Sequence, residues 1–350
     1  MKKTLTAGAI LLLTTTVATA GGIDRSGQGV GFIFEEGNAA FATLGYVTPE
    51  VSSNPEAAAG DVGVDYFALS FGYKTVLQPG LELSVIFDQP FGADIAYETG
   101  PLDGTEAALD SDAITSILRY KTSPNVSVYG GLRLQSLKGT AAVPAAAEYE
   151  LSTDTSYGFG YVLGAAYEVP EIALRASLTY NSKVDHTLRG EESSLLGGDT
   201  VEDFDNTTPQ SVNLDFQTGI AADTLAFASV RWVEWSEYDI TPANYPGGSL
   251  VDYSNDVYTY TVGVGRRFSD VFSASFTVGY EEATGDPAPN LGPTDGYISY
   301  AIGGEYKVND NTKLRGGIRY IDIGDATTDA GIDFEDNSAI AVGASMVYTY

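Results

Sequence analysis

The chain holds one histidine, His186, and it stands beside Asp185. A hydrolase needs a nucleophile, a base and an orienting group in register. Serines are plentiful, but no spacing joins one to His186, so no catalytic set is expected and the chain does not read as an enzyme. Glu202, Asp203 and Asp205 offer hard oxygens of the kind calcium takes. They lack the twelve-residue spacing of a calcium loop, and a solvated acidic loop, or one bridged by cations to lipopolysaccharide, fits them better. The chain has no cysteine, which removes thiolate metal sites and disulfides together. No metal and no cofactor are expected. An apolar triplet in a glycine-rich stretch, Phe32-Ile33-Phe34, holds the remaining side chains suited to binding. Their chemistry is apolar contact.

What must position them is a set of strands. In Val271–Glu281, Phe272, Ala274, Phe276, Val278 and Tyr280 alternate with Ser273, Ser275, Thr277 and Gly279. Leu314, Gly316, Ile318 and Tyr320 alternate with Lys313, Arg315, Gly317 and Arg319, and Leu174, Ala176, Leu178 and Tyr180 with Arg175, Ser177 and Thr179. A period of two gives each strand one apolar and one polar face. Fourteen segments read this way: 38–48, 64–76, 80–90, 112–122, 125–137, 156–168, 171–188, 210–221, 223–235, 256–268, 271–281, 296–308, 311–321 and 338–350. Short turns such as Gln78-Pro79-Gly80, Val169-Pro170-Glu171 and Asn309-Asp310-Asn311 alternate with long acidic loops such as Gly190 to Pro209. An even strand count with long and short connections at opposite ends predicts an all-β transmembrane antiparallel barrel of about 14 strands. Tyr73, Tyr120, Tyr180, Tyr280 and Tyr320 near strand ends suit interfacial girdles.

Residues 1–20 read as a secretory signal peptide, with Lys2 and Lys3, the apolar run Ala7 to Leu13, and Ala18-Thr19-Ala20 as the cleavage site. Residues 21–37, GGIDRSGQGVGFIFEEG, are irregular and glycine-rich and are expected to form a short N-terminal hatch inside the barrel of residues 38–350. With 18 Lys+Arg against 47 Asp+Glu, the net charge is −29, a surface that repels nucleic acid. Charges in the polar phase, among them Glu82, Asp88, Arg119, Lys121, Arg133, Arg175, Asp215, Glu305, Lys307, Arg315 and Arg319, should face the lumen. There they either brace the barrel and its plug or clamp a ligand carboxylate.

Three stretches in order carry a family likeness. Tyr180-Asn181-Ser182-Lys183-Val184-Asp185-His186-Thr187-Leu188-Arg189-Gly190 resembles the Y-R-S-K-V-x-H-x-L-x-G stretch of the FadL/TodX-type outer-membrane transporters of long-chain fatty acids and hydrocarbons. Trp232-Val233-Glu234-Trp235-Ser236 resembles their W-x-x-W-S, and Gln89-Pro90-Phe91-Gly92 their P-F-G segment. The resemblance runs from about Asp65 and implies fourteen strands, a plugging hatch and lateral escape of an apolar ligand through the wall. It places Ser182, Lys183, Val184, His186, Trp232, Trp235 and Ser236 in family motifs. The family hatch is usually longer and ends in N-P-A; Asn54-Pro55-Glu56 follows the first predicted strand here and is not its counterpart. The terminal Tyr350 on an alternating strand resembles the signal read by the barrel-assembly machinery.

The expected function is passive uptake of hydrophobic small molecules, such as long-chain fatty acids or aromatic hydrocarbons, across the outer membrane of a bacterial cell, in contact with its lipid and lipopolysaccharide. The alternative is a general diffusion porin for small polar solutes; a structural or adhesive barrel has no positive support. Phe32, Ile33 and Phe34 are expected against an apolar pocket. Pro90 and Gly92 are expected either to interrupt the third strand and open a lateral gate near Phe91, or simply to end that strand at its loop.

Overall fold

A sheet of strands that are apolar on one face and polar on the other has two raw edges, and closing the sheet removes both. In the computed structural model, which describes residues 23–55, 58–285 and 287–350, the sheet closes. Fourteen barrel strands run in chain order: β1 (Ala39–Glu50), β2 (Tyr66–Gln78), β3 (Leu81–Asp88 with Gly92–Ala96), β4 (Glu106–Lys121), β5 (Val126–Val143), β6 (Tyr149–Thr153 with Ser156–Val169), β7 (Leu174–Asn181 with Val184–Ser194), β8 (Gly198–Thr208 with Ser211–Ala221), β9 (Thr224–Val233), β10 (Val257–Arg267), β11 (Phe272–Glu281), β12 (Tyr297–Lys307), β13 (Thr312–Ile323) and β14 (Asn337–Thr349). Neighbours are antiparallel, and β1 pairs with β14 from Ala39↔Thr349 to Glu50↔Ser338.

The outer face is apolar. Phe71, Ile114, Leu132, Val262, Ile302 and Ile318 are all exposed. An apolar surface of that extent belongs in lipid. Tyr73, Tyr120, Tyr280 and Tyr320 are exposed in the same way, and the Tyr73 ring lies 6.4 Å from that of Tyr350 across the closing seam. The first and last strands begin and end at the rim that carries the short turns, the periplasmic rim of such barrels. Among the described residues no helix is long and apolar enough to cross a membrane.

The structure departs from the sequence reading in four places. The third strand does not stop at Pro90 but resumes at Gly92. The turn after Val169 is a 3-10 turn over Pro170–Ile172, closed by Ala173 in the left-handed region, so the next strand starts at Leu174. The stretch 190–209, expected as a loop, is mostly paired: β7 and β8 continue as a hairpin from Val184↔Thr208 to Ser194↔Gly198. Beyond the bilayer the outward face of this hairpin meets water while Leu188 and Phe204 turn inward to the core, so the outward apolar residues that mark a strand in lipid are missing. Lys121 and Lys307 stand at the periplasmic rim, half exposed, rather than in the lumen. The signal peptide, and Gly21 and Gly22 of the predicted hatch, lie outside the described residues.

Candidate functional site

Glycine-rich chain without a strand register must find partners for its backbone elsewhere. Residues 23–38 find them inside the barrel. Asp24 bridges to Phe91; the Arg25 N–H donates to the Pro90 carbonyl (2.8 Å), and the Gly92 N–H to the Ile23 carbonyl (2.9 Å). Side chains fix the rest. Asp24 pairs with Arg231 (2.6 Å), Arg25 with Asp94 (2.5 Å), and Glu35 with Arg315 (2.9 Å), which also holds Glu305 (2.8 Å). Ser26 donates to Asp88 (2.6 Å), Ser211 to Gln28 (2.8 Å), and Asn213 to the Gly27 carbonyl (2.9 Å). Lys74 donates to the Glu35 carbonyl and pairs with Glu82 at 3.1 Å. Pairing of this kind is what a charge removed from water requires.

The apolar triplet forms a single 3-10 turn, Gly31–Phe34. Phe32 and Ile33 are buried against Ile86, Ile117, Tyr129 and Val162. Phe34 lies between two guanidinium groups, Arg119 and Arg175, each 4.5 Å from its ring centre, a cation–π sandwich.

Pro90, Phe91 and Gly92 sit where the wall is broken. The β2–β3 ladder runs only from Phe71↔Phe87 to Gln78↔Leu81 and does not extend to Phe67–Ser70. Past the break β3 pairs with β4, from Gly92↔Asp110 to Ala96↔Glu106, and with residues 23–25 inside the lumen. Proline suits the break because it lacks an N–H and its carbonyl is already taken. Glycine suits position 92 because a Cβ there would lie 2.7 Å from the Arg25 guanidinium. Gln89 spans the gap: its carboxamide oxygen accepts the Leu69 N–H (2.9 Å) and its nitrogen donates to Asp112 (3.2 Å). Behind it is a cavity of about 150 Å³, lined by Ala68, Leu69 and Ser70 on one side, Ile86, Asp88 and Gln89 on the other, with Arg25, Gly29 and Phe32 at its back.

Two further cavities flank the N-terminal segment. Toward the outside, one of about 50 Å³ is lined by Ile23, Leu109, Leu151, Leu188, Phe204 and Leu250, among others. Below and beside the segment, one of about 180 Å³ has a mixed lining, with Arg175, Asp215, Arg231, Arg319 and the hydroxyls of β10, β11 and β12 beside Phe34, Phe216 and Phe227.

The motif residues fall into two groups. Trp235 is buried on the 3-10 turn after β9 and meets the Phe91 ring edge-on at 5.9 Å; Tyr238 and Tyr253 pack on it at 5.6 and 5.5 Å. Burial pushes both of those phenol pKa values upward. Trp232 faces outward, and its indole N–H donates to Asp256 (3.1 Å), which also accepts the Ser236 hydroxyl (2.6 Å). The other motif marks a step in the wall. Between Val162↔Asn181 and Thr153↔Gly190 no ladder joins β6 to β7. There Ser182 accepts the Tyr161 N–H with its hydroxyl (2.8 Å) and donates its own N–H to the Tyr161 carbonyl (2.9 Å). Val184 presses on Gly158 and Gly160, where a Cβ would come within 2.5 and 2.8 Å of it. His186 is buried, with Nε2 3.4 Å from Gln135, and Lys183 points outward. Trp235 and Phe91, from two different motifs, are thus in contact.

Sequence reasoning missed Asp24, Arg25, Glu35, Lys74, Asp94 and Arg231. Lys74 and Arg231 follow from strand phase alone. Asp94 is hidden behind the break, and the other three lie in a segment with no phase to read.

A search against curated proteins finds no sequence match. Solved structures share the fold at low identity. A Pseudomonas aeruginosa FadL homologue is 14% identical with a TM-score of 0.73, covering 90% of this chain and 91% of that one. The Pseudomonas putida toluene transporter TodX is 12% identical with a TM-score of 0.67 (95% and 96% covered). The Ralstonia pickettii toluene transporter TbuX is 13% identical with a TM-score of 0.66 (91% and 90%). Residues 91–350 match the family described as outer membrane protein transport protein (OMPP1/FadL/TodX). With that match spanning well over half of a closed fourteen-strand barrel, the chain belongs to this family of outer-membrane transport proteins.

Proposed function

We propose that the protein carries apolar small molecules from the cell exterior into the outer-membrane bilayer, with exit sideways through the β2–β3 break. The observation that carries this reading is the end of the β2–β3 ladder at Phe71↔Phe87, backed by a cavity that Arg25, Gly29 and Phe32 close from inside. In lipid, unpaired backbone is tolerated only where protein or a cavity lines it. An apolar solute crosses a lipopolysaccharide leaflet poorly; a route that ends in the wall delivers it to hydrocarbon without a passage through water. The outer apolar chamber at Leu188 and Phe204 is the receiving site, the Phe91–Trp235 contact stands between chamber and break, and residues 21–37 act as the plug. TodX and TbuX, described as toluene transporters, support a small apolar solute.

The test is to fill the break. Ala68→Trp should cut uptake of a fluorescent long-chain fatty acid and of radiolabelled toluene by about tenfold, a change of roughly 1.4 kcal/mol in barrier, while the barrel keeps its heat-modifiable gel mobility. Undiminished uptake of both by a folded variant defeats the lateral route.

A further inference from the structure

The kink of β3 loosens two seams at once. Toward β2 the ladder ends at Phe71↔Phe87, whose stacked rings, 4.7 Å between centres, mark its last rung. Toward β4 the register runs to Asp88↔Ala113 and resumes at Gly92↔Asp110, so three residues of β3 stand against two of β4. Gln89 is the first of those three. Its side chain ties both neighbours. Oε1 accepts the Leu69 N–H of β2 (2.9 Å), and Nε2 donates to the Asp112 carboxylate of β4 (3.2 Å). The carboxamide fits only this way round, because a backbone N–H only donates and a carboxylate only accepts. Phe67, Leu69, Phe71 and Ile114 are exposed around it, an apolar setting in which a hydrogen bond is electrostatically stronger than in water. Directly behind lies the cavity at the break, to whose lining Leu69, Ser70, Asp88 and Gln89 itself contribute.

We infer that Gln89 is the latch of the lateral exit. Its carboxamide holds β2 and β4 together across the kink, and its release sets the rate at which a solute leaves the cavity for the bilayer. This rests on the reading of the break as the exit route. A backbone ladder suits such a task poorly, because opening it breaks a run of hydrogen bonds together. A side chain clears the gap by turning about its own single bonds and forfeits two, while the strands stay where they are. The N-terminal segment stays as well. Its backbone bonds run to Pro90 and Gly92, and neither Leu69 nor Asp112 takes part in them. Latch and plug are therefore separate closures, one on the lipid side of the wall and one on the lumen side.

The experiment measures uptake of radiolabelled toluene by cells carrying the full protein, and leak of small polar solutes through the purified protein by liposome swelling. Gln89→Leu keeps most of the bulk of the side chain and loses both hydrogen bonds. Its uptake should rise about fivefold, the weight of one net hydrogen bond on the barrier, with leak unchanged. Asp112→Ala removes one bond of the two and should raise uptake about twofold. Adding Ala68→Trp to Gln89→Leu should cancel the gain. Uptake by folded Gln89→Leu no faster than wild type overturns the inference, and Asp112→Ala decides in the same way where Gln89→Leu does not fold. A gain that survives Ala68→Trp overturns it too, as does a gain accompanied by leak, which would show a loosened plug. In each case a cut in uptake by Ala68→Trp alone leaves the lateral route standing. Undiminished uptake by Ala68→Trp alone overturns the exit reading itself, and the inference with it.

Discussion

The wall from β9 to β13 and the wall at β2–β3 solve the same problem differently. From β9 to β13 every seam is an unbroken antiparallel ladder, as between Thr224↔Arg266 and Val233↔Val257, or Phe272↔Tyr306 and Glu281↔Tyr297. Each backbone group has its partner in the neighbouring strand, and the inner face carries small residues such as Thr277, Gly279 and Ser299 around a cavity of mixed lining. At β2–β3 the ladder stops, and the inner face is covered by a second layer of chain. Residues 23–25 take up the backbone groups of residues 90–92. The side chains that hold this layer are charged and paired: Asp24 with Arg231, Arg25 with Asp94. A barrel wall can therefore be opened where an inner segment of chain replaces the missing strand contacts. The N-terminal segment lies against the inner face and completes the broken seam.

That comparison is broken most severely by removing the segment. Deleting residues 22–36 should raise permeation of small polar solutes in a liposome-swelling assay by an order of magnitude or more, because the cavity beside β10–β12 would lose the wall that Ser26 to Phe34 give it. Leak should rise although all fourteen strands remain. Unchanged permeability would mean that the loops, and not the segment, obstruct the lumen.

A subtler break leaves the segment present but detached at the seam. In Gly92→Val the new Cβ meets the Arg25 guanidinium, which is then driven from Asp94 and from the Tyr66 ring 3.9 Å away. Removing one member of a buried pair costs about 3–5 kcal/mol; with Asp94 partly open to solvent, about 2 kcal/mol is expected. Urea unfolding in vesicles should read that loss. The equivalent change at Gly304, on the continuous wall, meets nothing closer than 3.6 Å and should cost less. Equal losses at the two positions would erase the distinction between the walls.

The two walls were not equally legible in the sequence. The continuous one follows from alternation, because lipid on one side and a polar lumen on the other impose a period of two on Phe272 to Tyr280. The broken one did not. Pro90 and Gly92 marked an interruption, and Phe32-Ile33 an apolar cluster, but what each touches is set by contacts between residues far apart in the chain. Asp24 meets Arg231, and Glu35 meets Arg315; no local pattern encodes a pair separated by hundreds of residues. The hairpin of β7 and β8 beyond the bilayer was lost for the opposite reason. Glu202, Asp203 and Asp205 lie in a paired strand whose outward face meets water, and water does not enforce alternation.

A smaller effect is expected at the rim of the continuous wall, where the motif serine and tryptophan share one carboxylate. Asp256→Ala leaves the Trp232 indole and the Ser236 hydroxyl without their acceptor. Both lie at an exposed edge where water can replace it, so a loss of about 1 kcal/mol is expected. Trp235, anchored by Phe91, Tyr238 and Tyr253, should stay in place, and its fluorescence maximum should not move. A red shift would show that the Asp256 contacts position the buried tryptophan, and so tie the continuous wall to the broken one.

The smallest effect is expected at the periplasmic turn between β12 and β13. Lys307 donates to Asp310 at 2.7 Å, and that hydrogen bond, together with the ammonium charge, holds the Asp310 carboxyl below its ordinary pKa. A carboxyl held below its unfolded value contributes stability that is present above about pH 4, the usual range of a free aspartate. The contribution is lost as pH falls through the lower folded value. Asp310 is almost fully solvent-exposed, however, and exposed pairs are weak and screened by salt. Asp310→Asn should therefore leave the urea midpoint at neutral pH within error. It should also remove any small acid-dependent difference from the wild type at low ionic strength. A charge pair with good geometry is thus expected to count for little at this rim, whereas Arg25–Asp94, with similar geometry, counts at the seam because water is largely excluded there. A clear midpoint shift for Asp310→Asn would show that geometry, and not exclusion of water, sets the weight of these pairs.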